Sequence, residues 1–300
     1  MDQRRQHISP DSRTITSLLE AARGCRFHDE INSLSHQHQE WPAIETIHQV
    51  VAGAEPPPDF DIAPGNVQRR PSPVSGNCWS LIRRRRSAVA MDGVTRMDAN
   101  QFYAMLESVS LLPSHLDLFA HRVNLVLFIH RVEGLEPGLY MLVRNNGQEN
   151  LRASLNREFL WTRPAGCPDA LNLYLLAPGD ARAIARSICC LQDIAADGCF
   201  SLGMLADFGE PLLKWGAAIY PRLYWECGLI GQILYLEAEA IDLKGTGIGC
   251  FHDDQFHDLI GLHDSKYQCL YHFTVGGSVE DDRIVNLPSY HQITGRRIIS

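Results

Sequence analysis

Two groups of residues in this chain could do chemistry. Arg83-Arg84-Arg85-Arg86 is a concentrated basic run that ends on the hydroxyl of Ser87. Guanidinium groups make paired, charge-assisted bonds to phosphate oxygens, and a serine hydroxyl adds one more. Far along the chain, the stretch from Tyr224 to Leu262 holds an apolar helix, then Gly245, Gly247 and Gly249, then a second helix with an acidic start. Glycine lets a flat ligand approach the main chain closely. Loop N–H groups can then point at a ring nitrogen, a carbonyl or a phosphate. A mononucleotide spans such a pair of sites, with its phosphate on the arginines and its ring on the amides. Each group also has a structural reading. The arginines fit a solvated helix start, and Gly245 fits the end of the long helix with a turn after it.

Other chemistries fail on spacing. The glycine run follows a helix rather than a strand, which excludes the dinucleotide fingerprint, and no G-x-x-x-x-G-K-[ST] loop is present. His36 with His38 and His252 with His257 lack the i, i+4 spacing of a helical zinc site, so no metal is expected. Ser87 and Ser201 lack the strand–turn–helix setting of a hydrolase nucleophile. Formal charge is −8 at pH 7 with a sequence pI near 5.9, which argues against nucleic acid or an anionic membrane as partner. The nine cysteines are odd in number and form no C-x-x-C pair. They read as reduced thiols in a cytoplasm, with Cys250 a buried apolar thiol of which only the amide matters. The sequence has no apolar run of membrane-spanning length and no signal-peptide core at its polar start.

These groups need a framework to bring them together. With 45% hydrophobic residues over 300 positions, the chain can bury a full core. Residues 53–76 are dense in proline and read as an extended linker. It separates a helical N-terminal extension, residues 1–52, from a main domain, residues 77–300. In the extension, Ser9 and Pro10 read as a helix start, Ile15, Leu18, Leu19 and Ala22 as one apolar face, and Gly24 as its end. In the domain, helical spacing runs from Asn100 to Val109. Buried strands are expected at Asn124–His130, Tyr140–Val143, Leu171–Ala177 and Leu270–Val275. Asp180 caps a helix carrying Ile184, Ile188, Leu191 and Ile194, and a second helical run is expected from Phe200 to Phe208. The helix from about Arg222 to Ile241 is apolar nearly all round and should be central. The sum is a mixed α+β body.

Several blocks resemble one family. Arg85-Arg86-Ser87 followed by Ala90-Met91-Asp92-Gly93 is similar to the R-R-S-x-R-x-F-D-G opening of the nitroreductase superfamily. Glu226-Cys227-Gly228-Leu229-Ile230-Gly231-Gln232, with Leu236 to Ala238 behind it, resembles the E-A-G-H-x-x-Q-N-x-x-L-x-A helix of the SagB/ThcOx branch. Gly247 to Asp254 matches that branch's G-I-G-x-F-x-D-D loop, Val132 to Tyr140 its hairpin, and Tyr271 to Gly277 its closing strand. Five ordered blocks cover roughly residues 77–290. The resemblance implies a nitroreductase-like fold, with a central, mostly antiparallel sheet wrapped by long helices, that dimerises and binds FMN at the subunit interface. By position, Arg85, Arg86 and Ser87 would hold the phosphate and ribityl chain, and Gly247, Gly249 and Cys250 would present main-chain N–H to the ring. Arg283 would meet the phosphate, although it could pair instead with Asp281 or Asp282. Chemistry would then belong to the cofactor, with hydride passing through flavin N5, NADH or NADPH as donor, and a small molecule or peptide as substrate. No catalytic side chain is named. Three positions depart from the pattern: Val89 replaces a basic residue, and Leu229 and Ile233 replace the histidine and asparagine of azoline oxidases. A non-catalytic scaffold or peptide-binding partner with a degenerate flavin site is the alternative.

Overall fold

The computed structural model describes residues 12–25, 37, 39–54, 78–110, 121–145 and 147–289. Ser9, Pro10, the proline-rich linker from residue 55 onward, and the tail beyond Ser289 lie outside them. The chain divides into two compact units, Met1–Thr46 and Ile47–Ser300. Helix α1, Ser12–Arg23, belongs to the first, and α2, Pro42–Ala52, crosses the division.

In the second unit the elements follow in order: α3 Cys78–Arg84, β1 Met97–Asp98, α4 Ala99–Ser110, β2 Val123–Ile129, β3 Val132–Glu133, β4 Gly138–Leu142, α5 Gln148–Ser154 and β5 Leu173–Pro178. Then come α6 Arg182–Ile188, α7 Ile194–Asp197, β6 Phe200–Asp207, α8 Gly209–Trp215, a 3-10 turn Gly216–Ile219, α9 Tyr220–Ala240, β7 Lys244–Ile248, α10 Asp253–Ile260 and β8 Tyr267–Gly276. Six strands form one antiparallel sheet in the order β5-β4-β2-β6-β8-β7. The architecture is the α+β, nitroreductase-like fold expected.

The sheet is buried on both faces because its side chains alternate between two cores. In β2, Val123, Leu125, Leu127 and Ile129 enter the core with α4 and α9. Val126 and Phe128 enter the opposite core with α5, α6 and α10. A buried ion pair fastens the sheet to α9. Glu226 on α9 takes Arg144 Nη1 at 2.6 Å, and both side chains are shut off from water. The same carboxylate accepts the N–H groups of Arg122 at 3.0 Å and Val123 at 3.2 Å, at the start of β2. Glu226 therefore sets the depth at which α9 meets the sheet.

Four sequence expectations are corrected. Phe200–Phe208 is not helical: it supplies β6, a central strand between β2 and β8. A short, continuous apolar run has no period that separates helix from strand, and pairing on both sides decides it. The helix expected from Ile184 to Ile194 breaks after Ile188, because Cys190 and Leu191 take φ of 55° and 59°; Leu191 is left 62% exposed. The glycines from Gly245 to Gly249 are not a loop after a helix, since Lys244–Ile248 is the edge strand β7. Gly245 does not end the long helix either; Asp242 makes the left-handed turn, at φ 58°. Finally, the cysteines are not all reduced thiols. Cys190 and Cys250 form a disulfide, and Cys250 is exposed.

Two buried histidines make the fold acid-sensitive. Desolvation lowers His272 to about 3 and His130 to about 4, so both stay neutral in the native protein. Unfolded, each binds a proton near pH 6.5. The unfolded state thus holds more protons below that pH, and stability falls as pH falls from about 6.5 toward 4, by up to about 1.4 kcal/mol per pH unit for each histidine. Aspartates such as Asp92, lowered from an ordinary carboxylate value, add their loss only at lower pH. Thermal melts at pH 7, 6, 5 and 4.5 should show a steady decline; a flat profile would mean that the two rings are solvated or charged in the native state.

Candidate functional site

Helix α3 stops at Arg84, and residues 85–88 leave it to run along the outer side of β7. The Ala88 N–H donates to Gly245 O at 3.2 Å, and Thr246 Oγ1 donates to Ala88 O at 2.7 Å. The basic run and the glycines, 160 or so positions apart in sequence, thus share one corner of the sheet.

At this corner the four arginines do different things. Arg84 bonds both the side chain of Glu239, at 3.0 Å, and its carbonyl, at 2.8 Å, and Lys244 Nζ takes the other carboxylate oxygen at 2.6 Å. Glu239 is buried, so this pair pins α3 to the end of α9. Arg86 donates to the carbonyls of Arg83, Arg85 and Leu287, at 3.0, 2.8 and 2.8 Å. Arg85 lays its guanidinium on the ring of Tyr235, 4.6 Å from the centroid. Among the described residues that guanidinium has no hydrogen bond or ion pair, so its five donors are open. Arg85 is the arginine available to an anion.

The glycines explain themselves partly through packing. A β-carbon on Gly245 would lie 2.7 Å from the Phe273 ring, and one on Gly247 would overlap Tyr271. Close approach is required, as the sequence suggests, but the approaching groups are the protein's own aromatics. The main chain has a separate role. Strand amides alternate in direction, and here Gly245 C=O and Gly247 N–H both face the open edge, the latter donating to Tyr235 Oη at 3.0 Å. Gly249 and Cys250 follow directly on the end of the strand. Neither Gly249 N–H nor Cys250 N–H has a partner among the described residues, and both residues are exposed. An exposed amide without a partner is a ready donor.

Tyr235 is the hub that the sequence did not single out. Its hydroxyl bonds Ser87 Oγ at 2.9 Å as well as Gly247 N–H, its ring carries Arg85, and it meets Phe273 edge-on at 4.8 Å. One more aromatic on an apolar helix gives no signal in sequence; only the edge of β7 gives its hydroxyl a purpose.

Arg283 has an exposed side chain that pairs with Asp281, through Nε at 2.8 Å and Nη2 at 2.7 Å. Leu229 and Ile233 are half-buried on α9, and Val89 is 70% exposed. His257, on α10, is buried and accepts the Cys269 N–H on Nε2 at 3.1 Å. A separate cleft of about 990 Å³ lies between residues 79–89 and 278–289, with Arg83, Arg86, Ser87 and Lys244 facing Glu280 and Asp282. Arg85, Gly247 and Gly249 do not line it. No described helix is long and apolar enough to cross a membrane, and no described cluster of His, Cys, Asp and Glu could hold a metal ion.

The profile described as the nitroreductase family matches residues 82–277. No curated protein matches the chain. Among solved structures, one from Anabaena variabilis described as a nitroreductase aligns at 20% identity with a TM-score of 0.54, over 67% of this chain and 38% of that one. The chain thus spans well under half of that structure's length. A chain of the E. coli microcin synthetase McbBCD complex, with truncated pro-MccB17 bound, aligns at 17% identity and TM-score 0.49, over 87% of each chain. A structure from Exiguobacterium sibiricum, described as a nitroreductase in complex with FMN, aligns at 13% identity and TM-score 0.42, over 73% of this chain and 96% of that one. At 20% identity, the likeness to the Anabaena variabilis structure shows the fold alone.

Proposed function

The chain belongs to the nitroreductase family, and on that premise we propose that it is an FMN-dependent oxidoreductase whose flavin lies along the open edge of β7. The observation that carries this reading is Tyr235, whose ring holds the Arg85 guanidinium and whose hydroxyl meets the Gly247 N–H, two residues before the Gly249 amide, which has no partner among the described residues. The guanidinium suits a phosphate and the amide a polar atom on a flat ring.

Bound FMN would supply hydride transfer between a nicotinamide donor or organic substrate and an acceptor. The protein's own part is to bind, orient and exclude water. Arg85 neutralises the phosphate, with Arg86 and Ser87 beside it. Gly249 and Cys250 offer main-chain N–H groups whose dipoles favour the electron-rich, reduced ring over the oxidised one. The open side needs a second wall, and a homodimer is the reading that supplies it. Its support is the exposure of Trp225 at 57% and Tyr224 at 40% on α9 and of Leu213 at 91% on α8, large apolar groups that a partner surface would cover.

The scaffold reading has one observation in its favour. Tyr235 Oη already occupies both Ser87 and Gly247 N–H, two groups that a ligand would otherwise use. Absorption spectroscopy decides between the readings. Purified protein, or protein incubated with FMN and desalted, should show the two visible bands of an oxidised flavin, bleached by NADH or NADPH without oxygen. Colourless protein that takes up no FMN would leave the scaffold standing.

A further inference from the structure

The Cys190–Cys250 disulfide has no part in the chemistry above. It joins the turn after α6 to the residue that follows Gly249. Two hydrogen bonds already tie the same segments: His252 N–H donates to Ile188 O at 2.7 Å, and Gln192 Nε2 donates to Cys250 O at 3.1 Å. The loop's position therefore does not depend on the disulfide alone. On the other side of the bond, Cys190 and Leu191 are held in consecutive left-handed conformations, φ 55° and 59°. Side chains with a β-carbon resist that region, and such strain collects where a segment has work to do. Cys250 is exposed and Cys190 half-exposed, and exposed bonds on strained backbone are the readily exchanged ones. The neighbouring Cys189 does not compete, since burial pushes its thiol up to about 12 and its sulfur faces His272.

We propose that Cys190–Cys250 is a redox-active disulfide, opened by thiol–disulfide exchange with a dithiol reductant, and that it forms a modification site at the end of the β7 edge. A thiolate of the reductant attacks Cys250 Sγ, the S–S bond breaks, and Cys190 leaves as a thiolate that takes up a proton. The reductant's second thiolate then attacks the mixed disulfide, which releases Cys250 to be protonated and closes the reductant's own disulfide. One electron pair and two protons pass to the protein, and the dithiol is oxidised to its disulfide. Residues 249–252 lose one of their three ties to the α6 turn, and Cys190 and Leu191 are free to relax. The chemistry requires no flavin, so it stands or falls apart from the function proposed above.

The test uses the full-length native protein and a thiol titration with Ellman's reagent. Cys25 and Cys78 are the exposed free cysteines among the described residues. Fast-reacting thiols should therefore rise from two to four after dithiothreitol treatment and desalting, and amide exchange in residues 249–252 should quicken. The Cys250→Ser variant should show no dithiothreitol-dependent rise and should exchange at the faster rate from the start. Two results overturn the proposal: a disulfide that opens only once the protein is denatured, or four reactive thiols at the outset that oxidised dithiothreitol cannot lower to two.

Discussion

Arg85→Ala releases the flavin and leaves the melting temperature where it was. The side chain makes one contact of note, the face of Tyr235, and an exposed cation–π contact is worth about 0.5–1 kcal/mol. A hydrogen bond between a guanidinium and a phosphate is worth about 1.5–3 kcal/mol. Losing one such bond should weaken FMN binding about 10- to 100-fold, with more lost if the guanidinium engages two oxygens. Arg84→Ala is the contrasting variant. Its partner Glu239 is buried, so that change should lower stability first and affinity only as a consequence. FMN titration of both variants by fluorescence quenching, alongside their melting curves, separates the roles. Undiminished affinity in Arg85→Ala would remove the phosphate from this corner.

Glu226→Ala should be the most damaging single change for stability. It leaves Arg144 charged, fully buried and without its carboxylate, and strips the acceptor from two backbone N–H groups at the head of β2. Breaking a buried pair by removing one partner costs about 3–5 kcal/mol. For a domain of this size that is a drop in Tm on the order of 10 °C. A stable double replacement, Glu226→Leu with Arg144→Met, would recover much of the loss, because apolar groups of similar volume carry no desolvation cost. An unchanged Tm in Glu226→Ala would mean that water reaches this pair and that α9 is held at its depth by packing alone.

Glu226 also illustrates what can and cannot be read in advance. In the sequence it is the first residue of a block resembling a family helix, with no task of its own assigned. In the fold it is a fastener between α9 and the sheet. The block marks a real helix, but the residue's task depends on Arg144, which follows β4, 82 positions away in the chain. The arginine run is similar. Four guanidiniums in a row advertise anion binding equally, and the fold commits Arg84 to Glu239 and Arg86 to three carbonyls. What is left open is a matter of neighbours that composition does not list.

The sequence by itself determined the class of fold, the long central helix and four of the buried strands. Helical spacing, alternation and main-chain access are local properties, written within ten or twenty residues. Tertiary structure alone decided the rest. Phe200–Asp207 became a strand because β2 and β8 flank it; Gly245 and Gly247 fell on an edge strand because β7 pairs with β8 on one side and meets residues 85–88 on the other; Tyr235 became a hub because that edge passes it; and Cys190 met Cys250 across 60 positions. Each of these is a pairing between distant segments, and the free energy of a pairing resides in the partner as much as in the residue.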